Sequence, residues 1–131
     1  SVNWRNLDTT PPLSYGADTE LFQIKIYQDR TSVTNLSVVW IGHGITGGSG
    51  STYHTRLDIW NYQTGAWVNL VDRISTNGSQ VMTRYQSNIT TNAPYYIQSG
   101  SGNVSIMASA VSNSIPADMG IFTDFISVTV H

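Results

Sequence analysis

The sequence predicts an all-β protein, a sandwich of two antiparallel sheets with about eight strands. No segment keeps apolar residues at the helical period of 3.6 over ten or more positions. Short segments with an apolar residue at every second position recur instead, which is typical of half-buried strands. Clusters of turn-forming residues separate them, namely Pro11-Pro12, Asn77-Gly78, Ser99 to Gly102 and Ser114 to Pro116.

The N-terminal third predicts an irregular edge segment followed by two strands. We expect Ser1 to Asp18 to run along the sandwich edge as a first strand interrupted by the two prolines. The strand Leu21 to Tyr27 and the strand that begins at Leu36 both alternate. Their predicted inward residues are Phe22, Ile24 and Ile26, then Leu36, Val38 and Trp40. Gly42 to Ser51 contains five glycines in ten residues, which predicts a flexible loop.

A β-hairpin is predicted over Leu57 to Leu70, with its turn at Gln63-Thr64-Gly65. Trp, Tyr and Ile favour strands, and Gly65 tolerates the positive φ that a short hairpin loop often needs. The later strands are predicted at Gln80 to Tyr85, Tyr95 to Ile97, Val104 to Ala110 and Phe122 to Val130. The residues expected to share one face are Val104, Ile106, Ala108 and Ala110 in the third of these, and Phe122, Asp124, Ile126, Val128 and Val130 in the last.

Length and composition predict a single extracellular domain. A chain of 131 residues is long enough for one core, and we expect residues 1–131 to be one sandwich module excised from a larger secreted or cell-surface protein. Charged residues make up 11% of the chain and the net charge is −2, so nucleic acid is not an expected partner. Ser, Thr, Asn and Gln number 47, which makes the surface neutral and polar. The chain has no cysteine and no apolar run long enough for membrane insertion.

The chain resembles the galactose-binding-like jelly-roll modules that accompany extracellular glycoside hydrolases and surface proteins. The resemblance spans Leu21 to Val130. It rests on the hairpin Ile59-Trp60-Asn61-Tyr62-Gln63-Thr64-Gly65-Ala66-Trp67 and on the closing strand Phe122 to Val128. It implies that the two sheets form a jelly roll. In several carbohydrate-binding families of that fold, an Asp of the closing strand ligates a structural calcium ion, and Asp124 matches that position.

Acidic residues are therefore candidate metal ligands. Asp124 is expected among apolar neighbours, where a carboxylate needs hydrogen bonds or a cation. Calcium takes six to eight oxygen ligands, and Asp18 and Glu20, with Asp8 and Asp118, are available to supply some of them. The alternative is that Asp124 accepts hydrogen bonds from backbone N–H groups where its strand begins.

The hairpin also carries the candidate ligand-binding residues. If Leu57 and Ile59 point inward, Trp60 and Tyr62 stand on the outer face as a two-ring platform on which a pyranose can stack. The side chains placed to reach its hydroxyls are Asp58, Asn61 and Gln63. We interpret Trp67 as a core residue. The alternative is that the two rings pack beneath a neighbouring loop or strand.

Tyr95 and Tyr96 are a second aromatic candidate. Consecutive strand residues point to opposite faces, so only one of these rings can be in the core and the other is available for a ligand. The alternative is that its hydroxyl binds a nearby loop carbonyl.

No catalytic motif is present, and we predict that the protein is not an enzyme. His43 and His54 lack a third ligand for zinc. There is no nucleophile elbow, phosphate-binding loop or His-Glu-X-X-His segment. A carboxylate pair for glycoside hydrolysis, such as Asp58 with Asp72, can be named in almost any chain with eight acids.

Two functions fit these observations. The first is a non-catalytic carbohydrate-binding module that holds a neutral polysaccharide by stacking and hydrogen bonds, weakly and without salt dependence. The alternative is a structural or adhesive domain of a cell-surface protein, or of a viral receptor-binding or capsid protein, in contact with neighbouring domains. Val39 and Ile41 are apolar residues at outward positions, which favours a covered sheet edge or a contact between subunits of an oligomer.

Overall fold

The computed structural model describes residues 17–46, 52–76, 82–112 and 119–131, which form seven strands and two short 3₁₀ helices. The strands are β1 (Ala17–Lys25), β2 (Leu36–Thr46), β3 (Thr52–Asn61), β4 (Ala66–Thr76), β5 (Thr83–Ile89), β6 (Asn103–Ser112) and β7 (Met119–Val130). The 3₁₀ helices are Arg30–Ser32 and Ala93–Tyr96. Within these ranges no helix is long and apolar enough to cross a membrane. The all-β class is confirmed.

The strands pair into two antiparallel sheets. One has four strands in the order β1-β6-β3-β4 and the other has three in the order β5-β2-β7. The apolar core takes its side chains from alternate positions of both sheets, and its burial is the main stabilisation of such a fold. β1 ends at Lys25, two residues before the predicted end at Tyr27. The residues predicted to point inward in the strands that became β1, β2 and β6 are all buried, including Ile26 just beyond β1: Phe22, Ile24, Ile26, Leu36, Val38, Trp40, Val104, Ile106, Ala108 and Ala110.

The glycines after Trp40 extend a strand, so the loop predicted from Gly42 was wrong over its first five residues. β2 continues to Thr46 and pairs with β7. A Cβ on Gly42 would collide with the Trp40 ring and the Phe122 carbonyl, and one on Gly44 would lie 2.8 Å from the Ala110 Cβ. These two glycines make room for core side chains. Residues 47–51 of the predicted loop lie outside the described residues.

Phe122, Asp124 and Ile126 were predicted to share one face of the last strand, and this prediction was wrong because β7 contains a β-bulge. Ile41 pairs with Phe125 and Gly42 pairs with Thr123, so Asp124 has no partner of its own on β2. The extra residue reverses the alternation, and Ile121 is buried whereas Phe122 and Asp124 are exposed. The apolar surroundings expected for Asp124 are therefore absent.

Other boundaries also differ from the prediction. Tyr95 and Tyr96 end a 3₁₀ helix instead of starting a strand, because Pro94 near its start suits a helical first turn. The strand predicted to start at Gln80 begins at Thr83 and runs to Ile89. The predicted edge strand lies outside the described residues up to Gly16, as do the turns at Asn77-Gly78 and Ser114 to Pro116.

Candidate ligand-binding face

The outer side of the β3–β4 hairpin collects aromatic and polar side chains. Leu57 and Ile59 of β3 are buried in the core, so the residues that alternate with them point away from it. The register pairs Trp60 with Trp67, Asp58 with Asn69, and Arg56 with Asp72. We call these six residues, together with His54, the hairpin face.

A β-bulge in β4 decides which residues share this face. The register shifts between Leu57 and Asp58, so that Leu57 pairs with Val71 and Leu70 is the extra residue. Without the shift, Val71 would lie opposite Arg56. The bulge instead brings the Asp72 carboxylate to the guanidinium, which illustrates how bulges redirect side chains.

Trp60 and Trp67 form a cross-strand aromatic pair. Their ring centroids are 5.2 Å apart and their planes meet at 72°, an edge-to-face arrangement. Trp67 is 37% exposed, so its interpretation as a core residue was wrong. Val68, its neighbour in the chain, packs against the core instead.

Asn61 and Gln63 have different positions in the hairpin turn. Asn61 is only 7% exposed, and its Oδ1 accepts hydrogen bonds from the backbone N–H groups of Gln63 (2.9 Å) and Thr64 (3.1 Å). The Gly65 N–H donates to the Asn61 carbonyl at 2.9 Å, and Gly65 has φ of 68°. We therefore correct the prediction for Asn61: its side chain holds the turn and does not project toward a ligand. Gln63 is exposed.

Tyr62 joins the hairpin to the neighbouring elements. Its hydroxyl lies 2.9 Å from the Ser105 Oγ of β6, and its backbone N–H donates to the Tyr95 carbonyl at 2.8 Å. The ring is half-buried, so Tyr62 is less available than the predicted two-ring platform requires. Tyr95 is 38% exposed, whereas Tyr96 packs against the core.

Charged side chains continue the hairpin face beyond the aromatic pair. The His54 Nδ1 and Asp72 Oδ1 atoms are 2.6 Å apart. The Arg56 guanidinium lies between two carboxylates, with Nη2 at 3.7 Å from Asp58 and Nε at 3.8 Å from Asp72. Both distances are longer than a hydrogen bond, and Nε is buried without a hydrogen-bond partner among the residues that the structure describes.

Asp58 is the buried member of this group. It is 5% exposed, and its Oδ1 accepts a hydrogen bond of 3.1 Å from the Asn69 side chain. Burial raises the pKa of the Asp58 carboxyl above its usual value, and the Asn69 hydrogen bond and the Arg56 charge offset this only in part. Asp58 thus lies beneath the surface and positions Asn69.

The structure describes three of the residues predicted to bind calcium, Asp18, Glu20 and Asp124. Asp18 accepts hydrogen bonds of 3.0 Å from the backbone N–H groups of Thr19 and Ile121, and Glu20 accepts one of 2.6 Å from the Thr123 hydroxyl. Asp124 is exposed at the bulge of β7. Among the described residues no group of three or more His, Asp or Glu side chains could hold a metal ion. Calcium binding stays a prediction.

The sequence contains a signal for the aromatic pair that strand alternation alone did not reveal. Trp60 and Trp67 are equally distant from the turn, and a hairpin closed by Asn61 and Ala66 must pair them. Arg56 and Asp72 have no such signal, because their pairing depends on the bulge.

The described residues define a β-sandwich domain with a candidate ligand-binding face on one hairpin. Residues 5–131 match the model of a protein family described as "Uncharacterized protein, C-terminal domain", and the chain belongs to this family. No curated protein matches the chain.

Proposed function

We propose that the protein is a non-catalytic carbohydrate-binding module that holds a neutral polysaccharide on the hairpin face. The observation that carries this proposal is the Trp60–Trp67 pair, which exposes an indole beside hydrogen-bonding side chains on a rigid hairpin. An exposed aromatic ring stacks on the C–H face of a pyranose, and Asn69, Arg56 and Asp72 offer donors and acceptors for hydroxyl groups.

The strand order supports a jelly-roll form of the sandwich. If β1 is taken as the second strand of a jelly roll, the orders β1-β6-β3-β4 and β5-β2-β7 are those of that fold. Jelly rolls serve many unrelated functions, so this likeness does not by itself argue for carbohydrate.

The setting of the proposed module is a larger extracellular protein. The low charge and the 47 neutral polar residues suit a surface that meets a hydrated polysaccharide. The family description names a C-terminal domain, which supports an accessory role beside other domains of a longer chain.

Affinity gel electrophoresis tests the proposal directly. The chain is run through gels that contain cellulose derivatives, xylan, mannan, β-glucan or galactan, with calcium and with a chelator. We expect retardation on at least one of them. Retardation that requires calcium would support the predicted calcium ion. Equal retardation in the presence of the chelator would mean that binding needs no calcium, and the ion would no longer be part of the proposal.

Two variants locate the binding site. Trp67→Ala should abolish the retardation, whereas Phe125→Ala, which removes a 48% exposed ring from the other sheet, should leave it unchanged. Circular dichroism should show both variants folded. The proposal fails if no polysaccharide retards the chain, or if both variants lose retardation equally.

The alternative function, a structural or adhesive domain, is supported by the outer face of the three-stranded sheet. Phe122 and Phe125 are each nearly half exposed there, and Phe125 pairs with the half-buried Ile41. Exposed apolar groups of this kind are common in protein contacts. A chain that binds no polysaccharide but associates through this face, with association lost in Phe125→Ser, would favour the alternative.

A further inference from the structure

The angle between the two indoles restricts the shape of any ligand on the hairpin face. The Trp60 and Trp67 ring planes meet at 72° and do not form one flat surface, so a flat layer of sugar rings cannot stack on both indoles. Trp67, the more exposed ring, is suited to stacking, and Trp60 forms a wall beside it. A sugar ring can therefore stack on only one of the two indoles at a time.

The polar part of the hairpin face lies along the same two strands. Trp60 and Arg56 are four residues apart on β3, which corresponds to about 13 Å. This separation exceeds one pyranose, so a ligand that reaches both ends must have more than one sugar unit. A chain that follows the strands passes over Asn69 between them.

Arg56 and Asp72 present a donor beside an acceptor at the far end of this path. The Arg56 and Asp72 side chains are 40% and 38% exposed. Neither carboxylate is within hydrogen-bond distance of the Arg56 nitrogens that approach it, so the partly exposed Arg56 side chain retains donor capacity. Two adjacent hydroxyls of one sugar match this arrangement. One can accept from Arg56 while the other donates to Asp72 Oδ2, because Asp72 Oδ1 already lies 2.6 Å from His54 Nδ1.

The charges at this end disfavour an acidic sugar. Asp58 and Asp72 flank the single guanidinium, so a uronate carboxylate would approach two carboxylates to reach one arginine. Neutral hydroxyls meet no such repulsion.

We infer that the hairpin face binds a short segment of a soluble, neutral glycan along β3 and β4, with one pyranose against Trp67 and adjacent hydroxyls of a further unit at Arg56 and Asp72. This inference rests on the proposed function and narrows its ligand class. It excludes flat crystalline polysaccharides and polyuronates as preferred ligands.

Binding assays with four probes test the ligand class. The full chain is assayed by affinity gel with soluble β-glucan, galactomannan and polygalacturonate, and by pull-down with microcrystalline cellulose. We expect retention by a neutral soluble polysaccharide, and none by cellulose crystals. Preferential binding to the crystals would overturn the inference and leave the proposed function intact. Preferential binding to polygalacturonate would overturn the inference and also the neutral ligand of the proposed function. Binding to none of these probes, nor to any polysaccharide of the wider screen, would overturn both.

Asp72→Asn tests the contact at Arg56 and Asp72 separately from the stacking on Trp67. The substitution keeps the shape of the side chain, and we expect retention on the neutral polysaccharide to weaken about tenfold, the effect of losing one charged hydrogen bond. Ser37→Ala, on the outer side of β2 in the other sheet, is the control and should bind like the parent chain. A folded Asp72→Asn chain with unchanged retention, while Trp67→Ala loses it, would overturn the assignment of Arg56 and Asp72.

Discussion

At the scale of single residues, Asp58 is a carboxylate placed where its charge is disfavoured. Because burial raises the pKa of Asp58, the folded chain binds a proton more readily than the unfolded chain. The unfolding free energy must then fall as the pH rises from the ordinary value of 3.8 through the raised pKa. Asp58 thus lowers the unfolding free energy when it ionises, and its contacts with Asn69 and Arg56 give it a role in orienting these two side chains.

Asp58→Asn should remove this pH dependence. We expect the unfolding free energy of the variant, relative to the parent chain, to increase as the pH rises across that window, because only the parent must ionise a buried acid. Urea unfolding of both chains at a series of pH values measures this difference in unfolding free energy. A difference that decreases with rising pH would mean that the Arg56 ion pair outweighs the cost of burial.

Asn61→Ala should destabilise the hairpin. The substitution removes the acceptor for two backbone N–H groups at the turn, and we expect the unfolding free energy to fall by about 1–3 kcal/mol. Gln63→Ala is the matched control, since Gln63 is exposed in the same turn and should change stability little. Equal losses in the two variants would contradict the turn-holding role of Asn61.

At the scale of strands, a hydrogen-bond chain joins the two sheets. The buried Trp40 indole N–H of β2 donates to the Thr123 Oγ1 of β7 at 2.8 Å. The Thr123 hydroxyl donates in turn to the Glu20 Oε2 of β1, which belongs to the other sheet, at 2.6 Å. One hydroxyl therefore satisfies a buried donor and links three strands.

Thr123→Val tests this connection. Valine has nearly the shape of threonine but no hydroxyl, so the buried indole N–H would lose its acceptor, and we expect a loss of about 1–3 kcal/mol in unfolding free energy. Thr123→Ser keeps the hydroxyl and should lose much less. Thermal or urea unfolding compares them, and a serine variant as unstable as the valine variant would show that the methyl group matters instead.

Strand alternation predicted much of the fold, and local irregularities account for the failures. The residues predicted to point inward from β1 and β6 are buried, and these predictions were confirmed. The errors at Phe122 and Asp124 come from a bulge, which adds one residue without a recognisable sequence signal. The loop predicted at Gly42 was wrong because the need for glycine there comes from a ring on the same strand and a carbonyl on β7.

The candidate site was predicted only in part, for the same reason. The outward position of Trp60 follows from the inward positions of Leu57 and Ile59. Trp67 was misassigned because the alternation of β4 alone left its inward face ambiguous, although the turn decides the pairing. The polar end depends on a bulge in β4 and lay beyond prediction from residue types.

At the scale of the whole molecule, the two sheets present different outer faces. The four-stranded sheet carries the aromatic pair and charged residues of both signs, whereas the three-stranded sheet exposes phenylalanine. The net charge of −2 is small, so no strong field of one sign surrounds the chain. A ligand held on the hairpin face therefore meets charges of both signs close together, those of Arg56, Asp58 and Asp72.

A neutral ligand and a small net charge predict that binding is nearly independent of salt. Between about 0.05 and 0.5 M NaCl, we expect the affinity for a neutral soluble polysaccharide to change less than about twofold, because no net charge is neutralised and few counterions are released. Affinity gels at several salt concentrations measure the affinity for the neutral polysaccharide. The control is a protein known to bind an acidic polysaccharide, run through gels that contain that polysaccharide at the same salt concentrations, where salt should weaken binding. A steep loss of affinity with salt would instead mean that Arg56 binds an anionic group, contrary to a ligand recognised by its ring faces and hydroxyls.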